Sequence, residues 1–110
     1  MLTRFIRDEN RKPFGIIVAV QLDDGSIHYG VSLNKPGDKW NRDLGRKIAI
    51  GRAYSGTIMP ELPRKKEDVV IHQLGQMMKQ AKHYFERLSK KKQLKKDVLE
   101  FFDNALNTPV

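Results

Sequence analysis

Two clusters of Lys and Arg are the side chains in this sequence whose type and spacing could do chemistry. The planar fork of arginine can hold a phosphate or a carboxylate through two hydrogen bonds, whereas lysine acts mainly as a point charge. One cluster mixes the two residue types, and the other contains lysine alone. The candidate binding residues are Lys35, Lys39, Arg42, Arg46 and Arg52 in the first cluster, and Lys90, Lys91, Lys92, Lys95 and Lys96 in the second.

The net charge is concentrated in one part of the chain. The 110 residues include 21 Lys and Arg against 13 Asp and Glu, a formal net charge of +8. Residues 64–96 alone carry a net +8, residues 1–63 carry +3, and residues 97–110 carry −3. Such a basic region suits a phosphate backbone, an anionic membrane surface or an acidic protein, and a solvated face is the remaining alternative. Charge alone does not separate these possibilities.

Catalytic and metal-binding patterns are weak. The three histidines, His28, His72 and His83, do not have the spacing of a metal-binding motif. The chain contains no cysteine, so thiol nucleophiles, thiolate metal sites and disulfides are excluded. The adjacent carboxylates Asp23 and Asp24 are explained by a turn, and no phosphate-binding glycine loop is present. We therefore expect neither an enzyme nor a cofactor.

A β-hairpin and a preceding strand precede the first basic cluster. Two apolar runs flank an Asp-Gly pair, which is typical of a hairpin turn. With residues 24–25 as a two-residue turn, Val18 would lie opposite Val31 on an apolar face, and Gln21 opposite His28 on a more polar face. A shorter apolar segment at residues 2–7 predicts a further strand that pairs with the first strand of the hairpin.

The first basic cluster falls on a predicted helix that covers this sheet. The helix is expected over residues 39–53 and to be capped by Asp38. Trp40 could serve as a stacking platform for a base, but a place in the core against the sheet is the expected role. The predicted apolar stripe consists of Trp40, Leu44 and Ile48, which are spaced by four residues.

The lysine-only cluster falls between two helical patterns. Helical spacing of apolar residues covers residues 67–88 and resumes from residue 94, and the rhythm fails in between. We therefore predict a single domain, with the hairpin and a helix in residues 1–54, a linker at 55–66, and two helices in 67–106. The predicted fold is α+β: an antiparallel two- or three-stranded sheet packed by one helix, followed by a C-terminal helical hairpin.

One stretch of the sequence resembles a known group of proteins. Residues 30–33, 38–42, 45–49 and 51–53 combine Gly-Val-Ser-Leu, Asp-Lys-Trp-Asn-Arg, Gly-Arg-Lys-Ile-Ala and Gly-Arg-Ala. This order is similar to that in small uncharacterised bacteriophage-encoded accessory proteins and covers about a quarter of the chain, namely part of residues 30–53. The resemblance implies a phage accessory protein that works in the cytoplasm of a host bacterium. It assigns no functional residue.

These observations favour a small, basic, non-catalytic protein that binds DNA or RNA through its Lys and Arg clusters. The alternative is an inhibitor or adaptor that binds an acidic host protein through the same surface. No apolar run is long enough to span a bilayer and no secretory signal is evident, so we expect a cytoplasmic location and no membrane partner. The sequence leaves the oligomeric state open, and a dimer is compatible with it.

Overall fold

A computed structural model describes residues 1–61 and 65–107 of the chain, and its fold is α+β. The elements follow the order β1 (Leu2–Arg7), β2 (Pro13–Gln21), β3 (Ile27–Leu33), α1 (Arg42–Ser55) and α2 (Glu67–Asn107). The strands form an antiparallel sheet in the order β1-β2-β3. The predicted first strand and the three-stranded meander are therefore confirmed. β2 is the central strand and is buried along most of its length, because it has a strand on each side and a helix over each face.

The register of the β2–β3 hairpin differs by one residue from the prediction. Val18 lies opposite Gly30, and Val31 lies opposite Ile17. The predicted pairing of Val18 with Val31 is therefore wrong, as is that of Gln21 with His28. A shift of one residue turns every side chain of a strand to the other face of its sheet. The side chains of β3 thus face away from the positions that the sequence predicted.

The hairpin turn explains this shift, because its loop has three residues instead of two. The Leu22 N–H donates to the Ser26 carbonyl at 2.8 Å, and the Gly25 N–H donates to the Leu22 carbonyl at 2.9 Å. Gly25 has a φ of +88°, which glycine adopts without strain. This is the arrangement of a three-residue loop with a glycine bulge, one of the common alternatives to the two-residue turn. The Asp24 carboxylate accepts hydrogen bonds from both N and Oγ of Ser26.

Each face of the sheet contacts one helix. Ile16, Val18 and Val20 form a buried cluster with Ala49 and Ala53 of α1. The opposite face carries a second buried cluster, shared with α2. Its buried members are Ile6, Phe14, Ile17, Ala19, Val31, Val70, Met77, Ala81 and Phe85. The sheet is therefore covered on both faces, where the sequence predicted cover by one helix.

α1 begins three residues later than predicted, and Asn41, instead of Asp38, caps it. The Asn41 side chain accepts a hydrogen bond from the Leu44 N–H at 3.1 Å. The Asp38 N–H donates to the Lys35 carbonyl, and Gly37 has a φ of +85°. Asp38 is wrong as the cap because the chain still forms a turn there.

The predicted apolar stripe is wrong for Leu44 and Ile48, whereas its third member, Trp40, does pack against the sheet. The buried side chains of the helix are Ala49 and Ala53, whereas Leu44 and Ile48 are 54% and 38% exposed. Gly30 explains this choice, since a Cβ at that position would overlap the backbone of α1 at Ala49. The helix lies so close to β3 that only small side chains fit beneath it.

α2 is one continuous helix in place of the predicted helical hairpin. Its first part packs on the sheet through Val70, Met77, Ala81 and Phe85, and all side chains of residues 89–106 are exposed. The segment between the two apolar patterns, residues 89–93, consists of Ser, Lys and Gln, without Gly or Pro, so nothing in it ends a helix. The break in apolar rhythm marks where the helix leaves the sheet. The molecule accordingly measures 73 × 24 × 21 Å.

Both edges of the sheet have hydrogen-bonding partners from other elements. At β3, the Val31 N–H donates to the Ile58 carbonyl at 2.9 Å, so part of the predicted linker follows this edge. Residues 62–64 of that linker lie outside the described residues. At β1, the Arg7 N–H donates to Gln73 Oε1 at 3.2 Å, and Gln73 Nε2 donates to the Arg7 carbonyl at 3.0 Å. The Gln73 amide thus pairs with β1 as a neighbouring strand would.

Candidate nucleic-acid interface

The lysine-only cluster lies on the part of α2 that extends beyond the sheet. All of its lysines are exposed. Lys91 and Lys95 are four residues apart, as are Lys92 and Lys96, so each pair lies on one side of the helix. Within residues 1–61 and 65–107, no ion pair involves these lysines. Among the described residues, no carboxylate lies within ion-pairing distance of their ammonium groups, which face solvent.

This arrangement of lysines costs free energy in the isolated chain. Like charges four residues apart on a helix destabilise it by roughly 0.2–0.5 kcal/mol per pair. The cluster contains two such pairs, and their repulsion falls when an anion binds nearby, because the anion screens both members. The lysine cluster is thus a surface whose own electrostatic energy improves when it contacts a polyanion.

The mixed cluster divides into exposed residues at the start of α1 and one residue with a structural contact. Lys35 and Lys39 lie in the turn before the helix, and Arg42 and Arg46 lie in its first two turns, all of them exposed. Arg42 Nε lies 4.0 Å from Asp43 Oδ1, with the two side chains 68% and 90% exposed. Such an exposed pair contributes little to stability and leaves the guanidinium accessible.

Arg52 differs from the other predicted binding residues. Its Nη1 donates to the Val31 carbonyl at 2.6 Å, and its side chain is half-buried between α1 and β3. The guanidinium therefore pairs with a backbone group on the edge of the sheet. This contact gives Arg52 a role in joining α1 to β3, which the sequence did not predict.

Trp40 occupies a position between the core and the surface. Its ring is half-buried against the cluster of Ile16, Val18 and Val20, and it meets Phe5 edge to face with centroids 6.3 Å apart. This contact agrees with the expected core role. One side of the ring also lines an open groove with a volume of about 410 Å³ between α1 and the turn that precedes it. The groove is lined by Ser32, Leu33, Asn34, Lys35, Asp38, Lys39, Trp40, Asn41, Leu44, Gly45 and Ile48.

The two basic clusters form separate surfaces. α1 packs on one face of the sheet and α2 on the other, and the lysine cluster lies on the part of α2 that projects past the sheet. The structure therefore places Lys35 and Lys39 on the groove, Arg42 and Arg46 one turn apart on α1, and Lys90–Lys96 on α2, so the two clusters stay separate. A ligand that contacts both must be extended or must wrap around the sheet.

Comparisons with protein-family models, curated proteins and solved structures were made for the whole chain. None of them finds a match. Across the described residues, no group of three or more His, Asp and Glu side chains could hold a metal ion. In the same part of the chain, no helix is both long and apolar enough to cross a membrane. No protein-family model, curated protein or solved structure thus assigns a role to these clusters.

The shifted pKa values lie away from the basic clusters. The hydrogen bond from Ser26 Oγ, followed by that from the Ser26 N–H, lowers the pKa of Asp24 below its ordinary value of 3.8. Burial raises the pKa of Tyr29 above its ordinary value of 10.0. Both groups belong to the hairpin, where they serve the turn and the core. Neither shift indicates an acid–base pair.

Proposed function

We propose that this chain is a small, phage-type accessory protein that binds nucleic acid without catalysing a reaction. The observation that carries the proposal is the lysine cluster on the projecting half of α2, which is exposed and forms no ion pair with the other described residues. The contact is mainly electrostatic and made to the phosphate backbone. Arg42 and Arg46 on α1 form a second contact surface, where the arginine fork can hold a phosphate with two hydrogen bonds.

The charge density of the lysine cluster matches that of a nucleic acid. Residues 90–96 span about 9 Å of helix axis, and over that length duplex DNA presents roughly five negative charges. The five lysines in this segment can therefore neutralise the adjacent phosphates without a change in helix geometry. Because lysine acts as a point charge, binding of this kind does not depend on base sequence.

A second candidate function is binding of an acidic host protein, and the groove beside α1 favours it. Leu44 and Ile48 are exposed apolar side chains on the groove wall, with Lys35 and Lys39 on its lining. Protein interfaces combine an apolar centre with polar or charged surroundings. A phosphate backbone, in contrast, makes no favourable contact with apolar side chains. An inhibitor or adaptor would therefore use the α1 side of the molecule first.

A fluorescence-anisotropy titration with duplex and single-stranded DNA and RNA tests the proposal. For binding to duplex DNA, the logarithm of affinity should fall linearly with the logarithm of salt concentration, with a slope of about −0.9 per phosphate neutralised. Replacing Lys90, Lys91 and Lys92 by Ala should flatten this slope and weaken all sequences about equally. The absence of binding to every probe at low salt and tens of micromolar protein would end the nucleic-acid hypothesis.

A charge-matched variant separates a specific surface from net charge. Replacing Lys12, Lys65 and Lys79 by Ala removes the same charge from exposed positions outside the two clusters and away from α1. This control should retain most of the affinity and most of the salt slope. Equal losses in the two triple variants would mean that net charge alone, and not the lysine cluster, attracts the nucleic acid. A protein partner would instead show slower association in both, with no affinity for free nucleic acid.

A further inference from the structure

The distal part of α2 carries a large apolar surface that none of the other described residues covers. Large apolar side chains recur through residues 94–106, and the most exposed are Leu106 at 82% and Phe101 at 69%. The exposed members are Leu94, Val98, Leu99, Phe101, Phe102 and Leu106. A helical segment of this length without tertiary contacts is only marginally stable in water. The segment therefore gains stability from a partner that covers its apolar side.

The spacing of these side chains is that of a helix–helix seam. Leu94, Val98, Phe101 and Ala105 follow one another at intervals of four, three and four residues. This is the a/d pattern of a coiled coil, in which two helices pack along a shared apolar stripe. The pattern is also close to symmetric about the point between residues 99 and 100, so the same seam can pair with an inverted copy of itself.

We propose that a second copy of this chain covers the seam, with the two distal helices packed antiparallel about a two-fold axis. In this register Leu94 lies opposite the partner copy's residue 105, and Val98 lies opposite the partner copy's residue 101. Each contact occurs twice because the interface is isologous. The proposal does not require nucleic-acid binding, because the contact is made by the apolar side of the helix, while the lysines of residues 90–96 lie beside that contact.

Charge selects the antiparallel arrangement. The distal helix is divided into a lysine-rich half at residues 90–96 and an acidic half with Asp97, Glu100 and Asp103. A parallel pair would align the two lysine-rich halves, whereas an antiparallel pair places each of them beside the carboxyl end of the other helix. The last turn of α2 has no basic residue to interact favourably with its own dipole. The lysines of the second copy supply that charge.

The available area suits a weak, concentration-dependent dimer. Leu94, Val98 and Phe101 on the seam and Phe102 beside it expose roughly 100 Å² each, or about 400 Å² per copy. The total of about 800 Å² is below that of stable specific interfaces and in the range of weak, transient ones. Lys95 lies on the same side of the helix as the seam, and its long side chain can pack along the apolar surface while its ammonium group stays in water.

Sedimentation velocity of the full chain tests the dimer. The parent protein should sediment as a dimer whose fraction rises with concentration, and Val98→Glu should convert it to monomer. The matched control, Gln93→Glu, adds the same charge on the solvent side of the helix and should remain dimeric. A parent protein that is monomeric at all concentrations would overturn the proposal, as would a dimer that both variants retain or both lose.

Disulfide trapping tests the orientation, since the chain has no cysteine of its own. An equal mixture of Leu94→Cys and Ala105→Cys chains should form a mixed disulfide under mild oxidation. Each variant alone should not, because in the antiparallel pair its two cysteines are about 16 Å apart along the axis. Efficient disulfides in the separate variants and none in the mixture would indicate a parallel pair and overturn the inference.

Discussion

Gly30 of β3 lies directly beneath the carbonyl group of Ala49 in α1. The contact is so close that a Cβ atom on Gly30 would overlap that backbone oxygen and crowd the Ala53 nitrogen. A backbone cannot give way as the end of a flexible side chain does. The distance between α1 and the sheet therefore depends on the absence of one methyl group.

Two glycine substitutions should consequently have opposite effects. Gly30→Ala should destabilise the fold by at least about 1–3 kcal/mol, because α1 must move away from the sheet. Gly51→Ala should stabilise by about 0.5–1 kcal/mol, because Gly51 lies within α1, has open space at its Cβ position and loses entropy on folding. Urea unfolding followed by circular dichroism measures both. Two changes of the same sign would show that the α1–β3 contact is misplaced.

The Gln73 amide should stabilise the β1 edge through its paired contact with Arg7. Gln73→Ala removes a donor and an acceptor, so we expect a loss of about 1–2 kcal/mol. Hydrogen exchange of the Arg7 amide should become faster in the same variant. Gln80→Ala removes a similar exposed side chain of α2 and should change neither quantity. Unchanged exchange at Arg7 in Gln73→Ala would contradict the pairing.

Substitutions of Arg52 and Arg42 should affect different properties, the first the stability of the fold and the second the affinity for nucleic acid. Arg52→Ala removes the hydrogen bond from the guanidinium to the Val31 carbonyl, and we expect a loss of about 1.5–3 kcal/mol in the free energy of unfolding. Arg42→Ala should alter that free energy by less than about 0.5 kcal/mol, because its side chain is exposed.

Nucleic-acid affinity should show the reverse order. Arg42→Ala should weaken binding and reduce the salt slope by about one phosphate, whereas Arg52→Ala should leave the slope unchanged. Fluorescence anisotropy at several salt concentrations, at a temperature where both variants are folded, compares them. A flatter salt dependence in Arg52→Ala, with no change in Arg42→Ala, would show that Arg52 and not Arg42 contacts the phosphates.

Tyr29 should make the fold sensitive to alkaline pH. Because burial raises its pKa, the folded state holds the phenolic proton more tightly than the unfolded state does. Its contribution is therefore complete below the ordinary value of 10.0 and is lost as pH rises through the raised pKa. Thermal unfolding over this range should show a smaller alkaline loss in Tyr29→Phe. Tyr54→Phe alters an exposed ring and should behave as the parent does; a Tyr29→Phe profile identical to the parent's would refute the assignment.

The sequence predicted the individual strands and helices better than the strand register and the helix packing. β1, the hairpin and the helical periodicity of α2 are local patterns, and each is present in the structure. The predicted register of the β2–β3 hairpin was wrong because Asp-Gly fits both a two-residue and a three-residue loop. The loop length decides which face of the sheet each side chain of β3 occupies. The sequence pattern assigned Leu44 and Ile48 to the core because they are more hydrophobic than the alanines of the helix. Hydrophobicity alone does not show that α1 packs so closely on Gly30 that only the small side chains of Ala49 and Ala53 fit there.

The binding role of the basic clusters stays a prediction, because the structure shows only where their side chains lie. The basic side chains are visible in the sequence, and exposure of Lys35, Lys39, Arg42, Arg46 and the lysines of 90–96 agrees with an accessible surface. Arg52 could not be separated from them, because its backbone acceptor on β3 is distant in sequence. The continuous helix did have a local signal in the sequence, namely the absence of Gly and Pro between the two apolar patterns. A change in apolar periodicity does not by itself end a helix.

The exposure of residues 91–106 also has a kinetic consequence. Because these residues make no contact with the sheet within their own chain, substitutions there should leave the folding transition state of the sheet and its two packed helices unaffected. Natural variation can therefore retune the charge and the apolar seam of this segment while the rate of folding stays constant. The core of the sheet therefore places little constraint on the sequence of this segment.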